Sequence, residues 1–331
     1  MTMRIPLVVV CAAILALTAC GGGTAGTQGS GGTSVTLRCS VTNPVGSEDM
    51  GAATAFKDKV EAETNGRVKL QLYPNSTLGD YASVLRQIHE GTLGCLYESL
   101  GVLGTYTPIA GIEAVPYLYK SEDAFVNVWN SPVGTKILSD VESSTGFKAL
   151  GPAGFRGFRE TALKQPVHTV DDLRGMKIRV PAIPAYVDAW KALGANPTPI
   201  AYTETYTAIQ QGVVVGVENP LSVLEAGKFY EVTKYLIMTN HMAEPMVMIM
   251  QAKYFNSLDK GTQKAFQDAA VAMAEWSKNY TDTQNDATLK LLQSQGMTVI
   301  YPDLPSFLAK VANYKVDPAL QPYVDQVKAM Q

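Results

Sequence analysis

The chain has 331 residues, with 27 lysines and arginines against 30 aspartates and glutamates, so its formal net charge at pH 7 is -3. This balance gives no electrostatic basis for nucleic acid binding, which needs clustered positive charge. The hydrophobic share of 46% is ordinary for a soluble globular protein.

The first 19 residues are predicted to be a lipoprotein signal peptide. Arg4 supplies a positive start, and residues 7–17 (LVVVCAAILAL) form an apolar run too short to span a bilayer. The run ends in Leu-Thr-Ala before Cys20, the spacing of a lipoprotein processing site. An ordinary signal peptide followed by a chance cysteine is the alternative. We therefore predict acylation of Cys20 and an extracytoplasmic protein whose lipid is its only membrane attachment.

Residues 20–34 are predicted to be a flexible tether, because they are rich in glycine, serine and threonine and have no periodicity. The segment contains a formal G-x-G-x-x-G at Gly21, Gly23 and Gly26, but no strand precedes these glycines and no helix follows them. A dinucleotide site is therefore excluded.

The rest of the chain, about 300 residues, exceeds the usual size of a single core and predicts two domains. Its first part alternates strands and helices: strands at 35–41, 68–73 and 94–99, and helices at 50–64 and 82–90. This order is typical of a parallel sheet with right-handed crossovers.

The residues that follow predict a second α/β unit. Thr169 caps a turn, after which we predict strands at 177–180 and 213–217 and helices at 182–193 and 203–211. Residues 245–250 form at most a buried strand. Residues 262–295 contain no proline and predict a helix about 50 Å long, enough to span both units.

Two cysteines remain as thiols once Cys11 leaves with the signal peptide and Cys20 carries lipid. Cys39 and Cys95 both lie in predicted strands. In an oxidising compartment they form either a disulfide, if the strands are neighbours, or two buried free thiols. Both alternatives stay open.

Catalytic and metal-binding motifs are missing from the sequence. It has no G-x-S-x-G, H-E-x-x-H, P-loop or C-x-x-C, and its three histidines (His89, His168 and His241) share no ligand spacing. We expect no metal, no cofactor and no enzymatic activity. The alternative is a secreted enzyme that uses Glu98 with Asp80 or Glu218 as an acid–base pair.

A dense series of motifs covers residues 154–245. In order these are GFR at 157–159, DDLRGMKIRVP at 171–181, ALGANPTP at 192–199, ENPL at 218–221, KFYEV at 228–232 and TNH at 239–241. Shorter matches, YPNSTLGD at 73–80 and YES at 97–99, lie upstream. Together they closely resemble the DctP-type solute-binding proteins of tripartite ATP-independent (TRAP) transporters.

The resemblance implies an α/β fold of two lobes, like periplasmic binding proteins, with a ligand cleft between the lobes and a long bridging helix. Residues 35–156 with 245–284 would form the first lobe, and residues 157–244 with 285–331 the second. It also implies a monomer that closes about a hinge on an organic acid and delivers it to the membrane subunits.

The resemblance also implies the ligand-binding residues. Arg179 matches the arginine that binds the ligand carboxylate through two parallel hydrogen bonds, a role that suits a planar guanidinium on a rigid strand. In the second lobe Arg159, Asn219 and Tyr202 match a second arginine, a carboxylate donor and an aromatic contact. Asn43 and Glu98 match cleft positions of the first lobe; a turn asparagine and an ordinary strand-end carboxylate are the alternatives.

An anionic Glu98 only accepts hydrogen bonds and would repel a second carboxylate. The expected solute is therefore a hydroxylated sugar acid. The alternatives are a C4-dicarboxylate or another carboxylate bound by the same kind of protein, or an ABC-type solute-binding lipoprotein.

Overall fold

Two β-sheets form the framework of the computed structural model, which describes residues 34–331. The predicted signal peptide, Cys20 and the tether up to residue 33 lie outside the described residues. None of the helices within this range is long and apolar enough to cross a membrane.

The first sheet has the strand order β2-β1-β3-β10-β4. Its strands are β1 (Val35–Val41), β2 (Val68–Tyr73), β3 (Cys95–Ser99), β4 (Phe147–Gly154) and β10 (Met246–Gln251). Strands β1, β2 and β3 are parallel, as predicted, whereas β10 runs antiparallel to both β3 and β4. The continuous apolar run of β10 suits a strand that is paired on both edges and buried on both faces.

The second sheet has the order β11-β9-β5-β8-β6-β7. Its strands are β5 (Arg159–Leu163), β6 (Lys177–Val180), β7 (Asn196–Pro199), β8 (Gly216–Pro220), β9 (Tyr235–Ile237) and β11 (Thr298–Ile300). The predicted strand at 213–217 is wrong in its limits. Gly212 adopts φ +76 after a helix and Val213 is 49% exposed, so these residues end the helix and the strand starts only at Gly216.

Within residues 34–331, eleven α-helices cover the sheets. They are α1 (Glu48–Glu63), α2 (Tyr81–His89), α3 (Glu122–Trp129), α4 (Pro132–Thr145), α5 (Pro184–Ala192), α6 (Tyr202–Gln210), α7 (Leu221–Ala226), α8 (Ala252–Ser257), α9 (Lys260–Ser294), α10 (Leu304–Val311) and α11 (Gln321–Ala329). Short 3-10 helices lie at Leu100–Thr105, Pro108–Ala114, Val170–Leu173 and Phe229–Glu231.

The predicted long helix is α9, with 35 residues. Its first turn is capped by Asp259, whose Oδ1 accepts a hydrogen bond from the backbone N–H of Thr262 at 3.0 Å. Phe266 on α9 packs edge-to-face on Phe56 of α1, with 5.8 Å between ring centroids. A Cβ atom at Gly51 would lie 1.9 Å from the ring of Trp276, so only glycine allows this close approach of α1 to α9.

The chain passes between the sheets three times: from β4 to β5, from β9 to β10 and, through α8 and α9, from β10 to β11. The first two crossings lie side by side: Phe158 and Ala243 form an antiparallel bridge, and the Arg159 N–H donates to the carbonyl of Met242 at 2.8 Å.

Cys39 and Cys95 face each other in register on the parallel neighbours β1 and β3. The structure joins them in a disulfide with 4.5 Å between the Cα atoms, one of the two alternatives that the sequence left open. The bond links the two strands whose carboxyl ends lead to Asn43 and Glu98.

Candidate functional site

A polar cleft between the two sheets contains all six residues predicted to bind ligand. Asn43, Glu98, Arg159, Arg179, Tyr202 and Asn219 line one cavity. Most of them lie at or just beyond the carboxyl ends of β1, β3, β6 and β8. Ligands of open α/β sheets bind at this edge, because loops and strand ends converge there.

Arg179 is a buried cation without a carboxylate partner among the described residues. Its side chain lies on β6, and the residue is only 3% exposed. Nε donates to the carbonyl of Ile200 at 2.8 Å, and this is the one hydrogen bond of its guanidinium within residues 34–331. Burial lowers the pKa of Arg179 to about 10, so the group stays charged at neutral pH.

Asn219 lies on the same face of the sheet as Arg179. Arg179 pairs with Val217 in the parallel β6–β8 ladder, and side chains two residues apart on a strand share a face. Asn219 is 4% exposed, and its amide has no hydrogen bond to any described residue. Arginine and asparagine together present several donors to one end of the cleft.

Arg159 also lines the cleft, but its charge is compensated by the protein. The register of β5 and β8 places it on the opposite face from Asn219, where Nε and Nη2 donate to the Glu218 carboxylate. Nη1 lies 2.6 Å from Oε1 of Glu244. His241 Nε2 is 3.1 Å from the same Glu218 carboxylate. The geometry therefore leaves Arg159 less free than Arg179 to bind an added carboxylate.

Sequence reasoning missed Arg156 and Glu244, which also line the cleft. Arg156 Nη1 lies 2.6 Å from Asp49 Oδ1, and its Nη2 lies 2.6 Å from Glu244 Oε2. A signal was present in the repeated pair FR at 155–156 and 158–159. Both arginines come from the first crossing and share Glu244 from the second, so this ion cluster holds the crossings together beneath the cleft.

The first sheet contributes an acceptor and an amide. Glu98 is 7% exposed, and its Oε1 accepts a hydrogen bond from the backbone N–H of Ser99 at 2.9 Å. Burial raises the pKa of Glu98, and the nearby Arg156 charge opposes that shift. Asn43 is 4% exposed and has no side-chain hydrogen bond to the described residues. The first sheet therefore presents one acidic acceptor to the cleft, Glu98, together with the side-chain amide of Asn43.

Two tyrosine hydroxyls, those of Tyr81 and Tyr202, are buried in the cleft. Tyr202 packs edge-to-face on Phe229, with 6.1 Å between the ring centroids. The other is Tyr81, which sequence reasoning also missed; it follows Asp80 of the upstream motif at the start of α2.

Across residues 34–331, no group of three or more histidine, cysteine, aspartate or glutamate side chains could hold a metal ion. The described side chains of the cleft present hydrogen-bond donors on the side of the second sheet and an acidic acceptor on the side of the first.

Comparison with known proteins adds to this geometry. A family model, DctP, described as bacterial extracellular solute-binding protein, family 7, matches residues 39–315. The sialic acid-binding periplasmic protein SiaP of Vibrio cholerae is 31% identical over 272 residues, which cover 82% of this chain and 84% of that protein. A solute-binding protein of Verminephrobacter eiseniae is 34% identical over 267 residues, 80% of this chain and 79% of that one.

Solved structures are similar over the whole described fold. A TRAP periplasmic solute-binding protein of Roseobacter denitrificans with bound L-galactonate has a TM-score of 0.84 at 28% identity, covering 89% of this chain and 99% of that one. One from Polaromonas bound to D-erythronate has a TM-score of 0.80 at 29% identity, covering 89% and 95%. The chain therefore belongs to the DctP family of bacterial extracellular solute-binding proteins, the solute-binding components of TRAP transporters.

Proposed function

We propose that this protein captures a hydroxylated sugar acid in the extracytoplasmic space and delivers it to the membrane subunits of a TRAP transporter. The observation that carries the proposal is Arg179, a charged guanidinium buried in a polar cleft without a counter-ion among the described residues. A buried charge is costly unless it is paired, and a ligand carboxylate supplies the partner.

Arg179 would bind the carboxylate through the two terminal nitrogens of its guanidinium, since Nε is already used by Ile200. Asn219, on the same face, would donate its amide to the same group. Arg159 would contribute at most through the second proton of Nη1, because Nη1 already pairs with Glu244 and the other two nitrogens donate to Glu218. Tyr202 would pack against the ligand with its ring.

Glu98 supports a hydroxylated ligand at the other end of the cleft. A carboxylate only accepts hydrogen bonds when ionised, so it suits ligand hydroxyl groups and disfavours a second ligand carboxylate. Relatives agree with this chemistry: their bound ligands include L-galactonate, D-erythronate and, in a protein of Xanthobacter autotrophicus, β-D-galacturonate. Each of these molecules combines one carboxylate with several hydroxyl groups.

Capture would proceed by closure of two lobes, residues 35–156 with 245–284 and residues 157–244 with 285–331. The lobe with Arg179 would bind the carboxylate first, and contacts from the lobe with Glu98 would then stabilise the closed state. The protein would act as a monomer, held to the outer face of the membrane by lipid on Cys20. No covalent step is required.

A thermal-shift screen tests this proposal. The panel contains L-galactonate, D-erythronate, galacturonate and N-acetylneuraminate, with succinate and malate as dicarboxylates. A ligand that binds only the native state raises Tm, so one or a few sugar acids should stabilise the protein and be recovered chemically unchanged. If succinate or malate gives the largest shift, or if the protein converts a panel member catalytically, the proposal is wrong.

A further inference from the structure

The first turn of α6 begins at the wall of the ligand cleft and has no side-chain cap. Its N-cap residue is Ala201, which has no side-chain acceptor. The backbone N–H groups of Tyr202 and Thr203 have no hydrogen-bond partner among residues 34–331. Ala201, Tyr202 and Thr203 all line the cavity. The free backbone donors of this turn therefore lie at the cleft.

Two hydrogen bonds connect the start of α6 to the strand that carries Arg179. The Ile200 N–H donates to the carbonyl of Val180 at 3.2 Å, and Arg179 Nε donates to the carbonyl of Ile200 at 2.8 Å. Ile200 directly precedes the N-cap residue of α6. The contact that orients the guanidinium of Arg179 therefore also positions the first turn of the helix beside it.

Arg179 is independent evidence that an anion binds at this place. The residue is only 3% exposed, and its two terminal nitrogens have no partner in the described part of the chain. A buried cation without a partner is costly, and an anion supplies the partner. The terminal nitrogens belong to the same planar group as Nε, so an anion that they bind lies close to the first turn of α6.

The N-terminus of a helix suits an anion. Its first N–H groups have no acceptor within the helix, and the aligned peptide dipoles give this end a partial positive charge. Helix α6 has nine residues, about two and a half turns. Its first turn and the guanidinium of Arg179 therefore offer donors and positive charge to the same region of the cleft.

We propose that the backbone N–H groups of Tyr202 and Thr203 bind the ligand carboxylate together with Arg179. The inference rests on the proposed function and adds a second carboxylate-binding element to it. Tyr202 then contributes twice, with its ring against the ligand and its N–H on the carboxylate. Every residue except proline has a backbone N–H, so no side-chain motif in the sequence indicates this contact.

Calorimetry on a pair of variants tests the inference. L-galactonate, D-erythronate and L-fuconate are first titrated into the unmodified protein, and the acid that binds most tightly is the probe. Tyr202→Ala removes the ring and keeps the N–H, whereas Tyr202→Pro removes both. Proline is favoured at the first helical position, and Ala201, with ψ 147, already has the backbone that a residue before proline needs. Tyr202→Pro should bind the probe about 10-fold more weakly than Tyr202→Ala.

Lys260 provides the matched control, because it begins α9 after an extended N-cap residue and does not line the cavity. Lys260→Pro and Lys260→Ala should bind the probe equally. A second measurement does not depend on proline: Tyr202 or Thr203 is replaced by the α-hydroxy acid with the same side chain, which removes one N–H and keeps the side chain. A loss of about 10-fold is expected at either position, with the Tm of the ligand-free protein as the check on folding.

Equal affinity of Tyr202→Pro and Tyr202→Ala would overturn the contact from Tyr202. Unchanged affinity of both α-hydroxy variants would overturn the inference as a whole. If the unmodified protein binds the probe and Arg179→Ala does not, either result leaves the proposed function intact. If the unmodified protein binds none of the three acids, the proposed function itself fails.

Discussion

Arg159 and Arg179 look alike in sequence, each on a short strand of the second sheet, but their surroundings differ. Arg159 pairs with Glu218 and Glu244, and these charges, opposing burial, raise its pKa well above its ordinary value. Arg179 has no such partner, and burial lowers its pKa. Sequence motifs predict both positions as ligand contacts. Only the three-dimensional arrangement of the carboxylates shows that Arg159 is paired within the protein and that Arg179 has no carboxylate partner among the described residues.

The first prediction concerns Arg179. Arg179→Ala should abolish binding of the sugar acid. Arg179→Lys should retain only weak binding, because a lysine ammonium group cannot form the bidentate hydrogen bonds of a guanidinium. Loss of such a charge-assisted pair costs about 2–5 kcal/mol, or about 30-fold to several thousand-fold in Kd. Calorimetry measures the change.

Arg174→Ala provides the matched control, since the Arg174 side chain is 80% exposed and pairs only with Asp171 on the surface. Its Kd should equal that of the unmodified protein. A change of less than threefold for Arg179→Ala would rule out the assigned role.

Glu98 gives the second prediction. Glu98→Gln should weaken binding of a sugar acid by about 1–3 kcal/mol, because a buried ligand hydroxyl loses its charged acceptor. The requirement for a ligand carboxylate should stay. Calorimetry compares this variant with Glu90→Gln, an exposed position after α2. Equal affinity of the Glu98→Gln variant and the unmodified protein would show that Glu98 does not contact the ligand.

At the scale of elements, Tyr186 connects α5 to the 3-10 helix Pro108–Ala114. Its hydroxyl lies 2.8 Å from Glu113 Oε1 and 2.7 Å from Glu244 Oε1. A hydroxyl has one proton to donate, so one of these two carboxyl groups must itself carry a proton. Burial raises the pKa of Glu113 to about 8. Burial would also raise the pKa of Glu244, but the charges of Arg156 and Arg159 outweigh that effect and lower the pKa of Glu244 to about 2. Glu113 therefore holds the shared proton.

The third prediction follows from that proton. The unfolded chain releases it above the ordinary glutamate pKa of 4.5, whereas the native protein keeps it to about pH 8. Stability should therefore fall as pH rises between these values and level off above pH 8, by about 1.4 kcal/mol per pH unit for each such carboxyl. Glu48 and Glu160, whose pKa values burial also raises to about 8, act in the same direction.

Glu113→Gln should make the fall of stability with pH shallower, because only Glu48 and Glu160 then contribute to it. The glutamine amide still donates a hydrogen bond to Tyr186, so the contact itself is kept. Denaturant unfolding at pH 5.5, 6.5 and 7.5 measures the slope. The groups around Glu113 are Glu244, Tyr186, Ser99 and Tyr119, none of which is changed by the substitution. Glu90→Gln is the reference variant. If the slope of the unfolding free energy against pH is the same in both variants, Glu113 does not hold the shared proton.

Elements were predictable where local signals were strong. The limits of β1, β2 and β6 agree with those predicted, because each strand is bounded by turn residues or proline. The sequence pattern predicts the start of β8 three residues too early, because three consecutive valines resemble a strand although the first of them closes a helix. The antiparallel entry of β10 depends on the second crossing, a long-range feature without local sequence signature.

At the scale of the whole molecule, the motif series predicted the two-sheet fold and the family, and it brought six distant residues to one cleft. It did not predict the ion cluster of Arg156 and Glu244, since their pairing depends on how two crossings 88 residues apart meet. The lobe limits and the ligand roles stay predictions.

The last prediction concerns membrane attachment through Cys20, which lies outside the described residues. Cys20→Ala should yield a protein that is no longer extracted into detergent with membranes, because it lacks the lipid. Fractionation followed by immunodetection measures the distribution. Unchanged membrane retention would contradict the processing-site interpretation, and Cys11→Ala serves as control because that residue lies within the predicted signal peptide.

The paired crossings have a mechanical consequence. Arg156 on one crossing is bound to Glu244 on the other, and backbone pairing joins the same two segments. Two covalent connections that are bound to each other cannot slide independently, and α9 lies in a third connection between the sheets. We therefore expect shear between the sheets to be suppressed and torsion about one axis to remain. We therefore expect a single angle to describe the motion of the empty protein, with ligand entry as a change in that angle and the internal packing of each sheet unchanged.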